Sequence, residues 1–361
     1  MTSKSVIRII EINLEVYMNF FLLCGLIFAL PISSYAAYTV KEGKLIATHE
    51  LATLSASDHF GIAKDALEKG NWVELIRQAR ILDKNFPGTP FSQDAHFYAG
   101  LGYFHLQELD MANRYFSAYL KTQATPKFFE ETIKYKFSIA QEFEKGAKRR
   151  LLGKEGMPKW MSGKKEAIEI YNEVVAALPQ NDLAVQSLFG KANILFQEED
   201  FQASIEVFQT LLRRFPKSPL ARDSYVAIAE VYKTWSEKEY ADPDFLDLAM
   251  INVKKFSLDF PEDPKLAKAQ EIVQEMLEVY AKDLYETAKF YERTKKPKAA
   301  IIYYTKIVTK YPSTPTAALS QNRLNDLLPN QPSDDRKDPV ISTEGGTLVD
   351  NTSIESIEEI Q

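Results

Sequence analysis

The sequence predicts an all-α protein built from a row of helix pairs, and three observations predict it. One five-residue figure returns four times, as FPGTP (Phe86–Pro90), FPKSP (Phe215–Pro219), FPEDP (Phe260–Pro264) and YPSTP (Tyr311–Pro315). Apolar residues recur at i, i+3, i+4 and i+7 almost without a break from Ser55 to about Leu328. Small residues and large aromatics alternate at matching places along that stretch, as close helix crossings require.

Each five-residue figure reads as a helix end followed by a helix start. The first Pro cannot continue the preceding helix, because it has no N–H and its ring clashes with the turn behind it. Thr89, Ser218, Asp263 or Thr314 comes next, each with a side-chain oxygen able to cap an exposed N–H. The second Pro suits the first helical turn, where a missing N–H costs nothing. A stop–start signal that repeats is the mark of a helical repeat array.

The 361 residues divide into four segments. Residues 1–36 read as an export signal. FFLLCGLIFAL (Phe20–Leu30) is an apolar core of signal-peptide length, preceded by Lys4 and Arg8, and Ser34 and Ala36 are small residues placed for a cut after Ala36. An uncleaved anchor, lipid attachment at Cys24 and a start at Met18 are the alternatives. Cys24 is the single cysteine, so a form cut after Ala36 has no thiol and no disulfide. Residues 37–55 form an N-terminal arm in which KEGK lies between short β-prone pieces, either a small hairpin or an unstructured arm. Residues 56–328 are the helical array, with a basic insertion at 144–165. Residues 329–361 are rich in Pro, Asp and Ser and read as a disordered acidic tail. Eight acids against Arg336 and Lys337 give that tail the whole net charge of −6. Its end, TSIESIEEI, suits a short helix formed on a partner, or simply a solvated tail. A charge-balanced body with an acidic tail lacks the basic face of a nucleic-acid binder.

Within the array, YETAKFYERTKKPKAAIIYYTKIVTKYP (Tyr285–Pro312) sets Ala288 and Tyr291 on one helix and Ala300, Tyr304 and Ile307 on the next. Other copies carry Gly100, Tyr103, Ala112 and Phe116; Ala192, Leu195, Ser204 and Phe208; Ala63, Ala66, Trp72 and Leu75; and, less regularly, Ala229, Tyr232 and Ala249. WSEKEYADPDF (Trp235–Phe245) is expected to lengthen the turn in the last of these. KKEAIEIYNEVVAALP (Lys164–Pro179) is a further second helix whose first helix lies at 128–148. This pattern resembles the tetratricopeptide repeat and implies a superhelix (α-solenoid) of about five to six helix pairs. The closing prolines at 87, 126, 179, 216, 261 and 312 are 39, 53, 37, 45 and 51 residues apart, where a regular array keeps about 34.

Long, unequal repeats joined by aromatic–Pro–x–x–Pro turns, together with YETAKFYERTKKPKAAIIYYTKIVTKYPSTP, resemble the BamD-type component of the outer-membrane β-barrel assembly machinery. That resemblance implies a periplasmic scaffold at the inner face of the outer membrane. Its partners would be a β-barrel assembly component and unfolded outer-membrane proteins. The family carries a lipid-attachment cysteine, for which Cys24 is poorly placed behind the large Leu23. The second reading is a periplasmic tetratricopeptide adaptor of the Tol and cell-division coordinator type, although no heptads precede Ser55.

No catalytic constellation has credible spacing. His96 and His105 are nine apart and share no helix face as an i, i+4 metal pair would, and neither G-x-S-x-G nor a P-loop is present. The expectation is a protein that is not an enzyme, with no cofactor, no metal, no nucleic-acid partner and no small-molecule substrate.

Two surfaces are candidate sites. Aligned on Ala63, Gly100, Ala192 and Ala288, the position three earlier is Phe60, Phe97, Phe189 and Tyr285. By resemblance that position faces the concave groove. Its neighbours include Lys64, Leu101, Phe104, His105, Asn193, Lys289 and Arg293, a mixture suited to an extended peptide with apolar side chains. The alternative is that these rings are core. The insertion holds eight basic residues against Glu144 and Glu155, among them Lys148, Arg149, Arg150 and Lys154, with Trp160 in their midst. A basic loop with an exposed aromatic suits anionic lipid headgroups or an acidic partner domain, or is merely solvated.

Overall fold

The computed structural model describes residues 38–41, 44–47, 50–122, 125–153, 155–238 and 243–328. The expected export signal, Cys24, Lys154 and the acidic tail lie outside the described residues. The chain forms two compact units, 1–231 and 232–361.

The first unit opens with a hairpin of β1 (Tyr38–Lys41) and β2 (Lys44–Ala47), paired from Tyr38↔Ala47 to Lys41↔Lys44. Helices then follow in antiparallel pairs: α1 (Ala56–Glu68) with α2 (Trp72–Asn85), and α3 (Pro90–His105) with α4 (Leu109–Thr122). Next comes α5 (Phe129–Glu144), then a second hairpin of β3 (Lys148–Arg150) and β4 (Lys159–Ser162). The unit continues with α6 (Lys164–Ala177), α7 (Asp182–Gln197), α8 (Phe201–Arg214) and most of α9 (Pro219–Lys238). The second unit begins at Tyr232 in α9 and holds α10 (Pro243–Asp259), α11 (Lys265–Arg293), α12 (Pro297–Lys310) and α13 (Pro315–Leu327). The described residues are thus an all-α array of tetratricopeptide-type helix pairs.

The repeated figure caps the next helix at each copy, although at FPEDP the helix begins at Lys265, after Pro264. Thr89 accepts from the Ser92 N–H at 3.2 Å, Thr314 from Ala317 at 3.1 Å, Ser218 from Leu220 at 3.3 Å and Asp263 from Lys265 at 2.9 Å. The turns inside the pairs share a second device that leaves no common residue type. Gly70, Gln107, Glu199 and Lys295 all take positive φ, between 56° and 66°, although only glycine does so without a steric penalty.

Three irregular intervals have separate causes. The 53-residue interval holds the β3–β4 hairpin, so the insertion is a β-ribbon bolted to the array and not a loop. WSEKEYADPDF mostly extends helices, because α9 runs to Lys238 and α10 starts at Pro243; it does not simply lengthen a turn. The 51-residue interval comes from α11, a single helix of 29 residues.

The core of the first unit is the seam where small residues meet rings. A Cβ on Gly100 would lie 2.7 Å from the Phe116 ring, and one on Gly190 would lie 2.9 Å from Tyr171. Leu75, Leu82, Phe116, Tyr119, Ile139 and Phe143 are fully buried along that seam. In the second unit Phe256, Ala269, Met276, Ala288, Ala300 and Tyr304 take the same part.

Candidate functional site

The side chains expected to line a groove divide into two groups. Phe97 and Leu101 are core residues. Phe97 stacks on Phe128 at 4.4 Å and touches the rings of Tyr119, Phe116 and Tyr98, and only 6% of it is exposed. The expectation that Phe97 meets a ligand therefore fails on packing: Phe128, at the start of α5, closes over it. The others stay at least partly open. Phe60 packs edge-on to Tyr98 with the Lys64 ammonium 4.9 Å above its ring. Phe104 leans on Tyr135, and His105 is exposed and stacked on Trp72 at 3.9 Å. Phe189 and Asn193 are half-buried on α7, Phe189 against Phe208. Tyr285 is half-buried on α11, against Tyr304 at 5.4 Å with Lys289 over its ring.

The basic insertion is pinned by its arginines. Arg149 reaches Asp110 through Nε and Glu166 through Nη2, both at 2.9 Å. The backbone N–H of Arg150 donates to Asp110 at 2.6 Å, and its guanidinium holds Glu108 at 2.7 Å. Lys159 donates to the Gln107 carbonyl at 2.7 Å. Burial would raise the Glu108 carboxyl, but the hydrogen bonds from Arg150 and Lys159 outweigh it and hold its pKa below the usual range. Arg149 and Arg150 are therefore not a free cationic surface. Lys148 and Trp160 are exposed.

Behind this anchor lies a buried polar chain that sequence reasoning missed. Lys136 on α5 is fully buried and donates to Asn113 and Ser117, each at 2.6 Å, while pairing with Glu173 at 2.6 Å. Asn113 passes the chain on to Glu166 at 2.6 Å, and so to Arg149. Burial pushes the Lys136 ammonium's pKa down, against the pull of Glu173. A lone Lys in an apolar helix pattern was the available signal. Its partners come from two other helices, so no local pattern points to them.

The hairpin also walls a cleft of about 360 Å³ on the first unit. It is lined by the apolar Val73, Ile76, Leu106 and Met111 and by the charged Arg80, Glu155, Glu50 and Arg150. Arg80 ties the polar lining together, reaching Glu50 at 2.6 Å, Glu155 at 2.9 Å and the Tyr103 hydroxyl at 3.1 Å. Burial pushes the Tyr103 hydroxyl well above the usual tyrosine range, so it stays protonated.

His59 is engaged within the first unit. Leu54 N–H donates to His59 Nε2, which leaves Nδ1–H to donate to Gln78 at 2.6 Å. Among the described residues no three His, Cys, Asp or Glu side chains gather as a metal site, and no helix is long and apolar enough to cross a membrane.

Residues 165–328 match the family model of YfiO, described as an outer membrane lipoprotein. No curated protein sequence matches the chain. Among solved structures, the chain is similar to a tetratricopeptide repeat protein from Bacteroides fragilis, at 12% identity and a TM-score of 0.36, over 76% of this chain and 100% of that one. A tetratricopeptide repeat protein from Parabacteroides merdae aligns at 12% identity and a TM-score of 0.33, over 76% and 98%. The C-terminal part of one from Cytophaga hutchinsonii aligns at 14% and 0.30, over 72% and 98%.

Proposed function

We propose that the chain is a non-enzymatic scaffold on the periplasmic side of the outer membrane, where it helps assemble β-barrel proteins by holding extended segments of substrate or partner chains. The observation that carries this reading is the match of residues 165–328 to an outer membrane lipoprotein family. The geometry supports it, since stacked helix pairs make a stiff surface suited to an extended segment. On the first unit that segment meets Phe60 with Lys64, Phe104 with His105, and Phe189 with Asn193. Tyr285 with Lys289 is a separate contact on the second.

A photo-crosslinking residue in place of Lys64 or His105, both exposed, tests this in intact envelopes carrying the full chain. The expected catch is a β-barrel assembly component or unfolded outer-membrane proteins. A catch dominated by Tol components would replace this reading with the adaptor one, and an absence of envelope β-barrel partners would overturn it.

A further inference from the structure

We propose that the outer edge of the β3–β4 hairpin, Trp160 with Met161 and Lys148, is a contact for an anionic phospholipid surface. The inference rests on the membrane-proximal location proposed above. Three observations carry it.

The first is how Trp160 is presented. Arg149 pairs with Met161 and Arg150 with Lys159, so Trp160 is the extra residue of a β-bulge. Bulges turn a side chain out of the regular pleat. Trp160 is 74% exposed, the most exposed of the large apolar side chains among the described residues, and Met161 beside it is 44% exposed. The second is rigidity. Arg149, Arg150 and Lys159 fasten the inner side of the ribbon to Asp110, Glu108, Glu166 and the Gln107 carbonyl. A ribbon held at so many points presents its outer edge in one attitude. The third is charge. Lys148 is exposed on β3 opposite Ser162, and Lys165 is exposed three residues beyond β4. Cations flanking an exposed Trp and Met match an anionic headgroup layer over an apolar one.

An exposed Trp flanked by cations fits a lipid surface. Among the described residues of the hairpin, the exposed apolar side chains are Trp160, Met161, Met157 and Leu151. A specific protein interface buries roughly 1,000 Å² or more over both partners. Interfacial partitioning has no such threshold, and Trp is enriched at the headgroup level of membranes.

The test reads Trp160 locally. Full-length protein and its Trp160→Ser variant are mixed with vesicles of phosphatidylethanolamine and phosphatidylglycerol, or of phosphatidylcholine alone, and the variant's emission is subtracted. Co-sedimentation confirms that both proteins are on the vesicles, and matching melts confirm that both are folded. The Trp160 difference emission is expected to shift to the blue on anionic vesicles and to be quenched by brominated acyl chains, and to stay unshifted on neutral ones. Lys148→Ser should cut the quenched fraction about fivefold at low salt, the usual worth of one lysine near an anionic surface. Higher salt should shrink that difference, because the Debye length falls. An unshifted emission from vesicle-bound protein overturns the proposal. So does emission already blue-shifted without vesicles, which would mean that the acidic tail or a second copy covers the hairpin. Either failure leaves the envelope crosslinking result intact, so the two readings fail separately.

Discussion

Phe97 and Tyr285 occupy the same place in their repeats, three residues before the small residue of a first helix, yet they meet different surroundings. Phe97 is closed in by Phe128, Tyr119, Phe116 and Tyr98. Tyr285 has one ring neighbour, Tyr304, and a lysine over its open face. The repeat position is the same; what differs is the next element along the chain. After α4 the chain brings Phe128 back over α3, and the Phe128 N–H is held by the Tyr119 hydroxyl at 2.8 Å. Whether a position in such an array is groove or core is decided one repeat further on.

The largest test of that contrast truncates both rings. Phe97→Ala should destabilise the first unit by about 3–5 kcal/mol, because it opens a cavity among fixed aromatics. Tyr285→Ala should cost clearly less in a melt, since its ring is only partly buried, and should instead reduce crosslinking to a bound segment. Equal losses of stability at the two sites would erase the distinction.

A smaller test exchanges the small residues themselves. Gly100→Ala sets a methyl 2.7 Å from the buried Phe116 ring, which cannot move freely. The expected loss is about 1–3 kcal/mol by overpacking. Ala288 is fully buried at the corresponding place, so there a methyl is already accommodated. Ala288→Gly should also destabilise, by roughly 1 kcal/mol, through lost helix propensity. Urea melts of the two variants check both signs. A neutral Gly100→Ala would mean that the Phe116 seam is looser than its contacts indicate.

These contrasts mark what the sequence made legible. Helix pairs, their caps and the small–large crossings rest on neighbours within about one turn, so FPGTP and YPSTP could be read directly. The β-ribbon at 148–162 was not legible, because three and four residues paired around an irregular turn leave no period to detect. Nor was the use of Arg149 and Arg150, which answer to Asp110, Glu108 and Glu166 on other elements. The cleft beside Arg80 is assembled from four segments, each unremarkable alone. Groove exposure failed at Phe97 for the same reason, since Phe128 is 31 residues away in sequence.

The smallest expected effect concerns a charged pair that stands beside a buried tyrosine in the second unit. Phe116 in the first unit corresponds to Tyr304 in the second, and a fully buried tyrosine brings a hydroxyl that needs company. The Tyr304 hydroxyl is buried without a hydrogen bond, and Glu292 and Arg323 stand beside it, Arg323 Nη2 lying 2.7 Å from the Glu292 carboxylate. Arg323 holds the Glu292 carboxyl below its ordinary range, against a smaller upward push from burial. The sign follows from linkage. A carboxyl whose folded pKa is depressed adds stability above its unfolded value, near pH 4.3, and that stability is lost as the pH falls through the folded value. Arg323→Gln removes the partner. At pH 7 the variant should be less stable by no more than about 1 kcal/mol, because the Arg323 side chain is 40% exposed and solvent screens the pair. The gap should narrow as the pH falls below about 4, where Glu292 becomes protonated in both proteins. Hydrogen exchange of the α13 amides across that range reads the second unit alone. A gap that stays constant from pH 7 to pH 3 would show that Arg323 acts through packing, and the charged pair beside Tyr304 would then carry no charge-dependent stability.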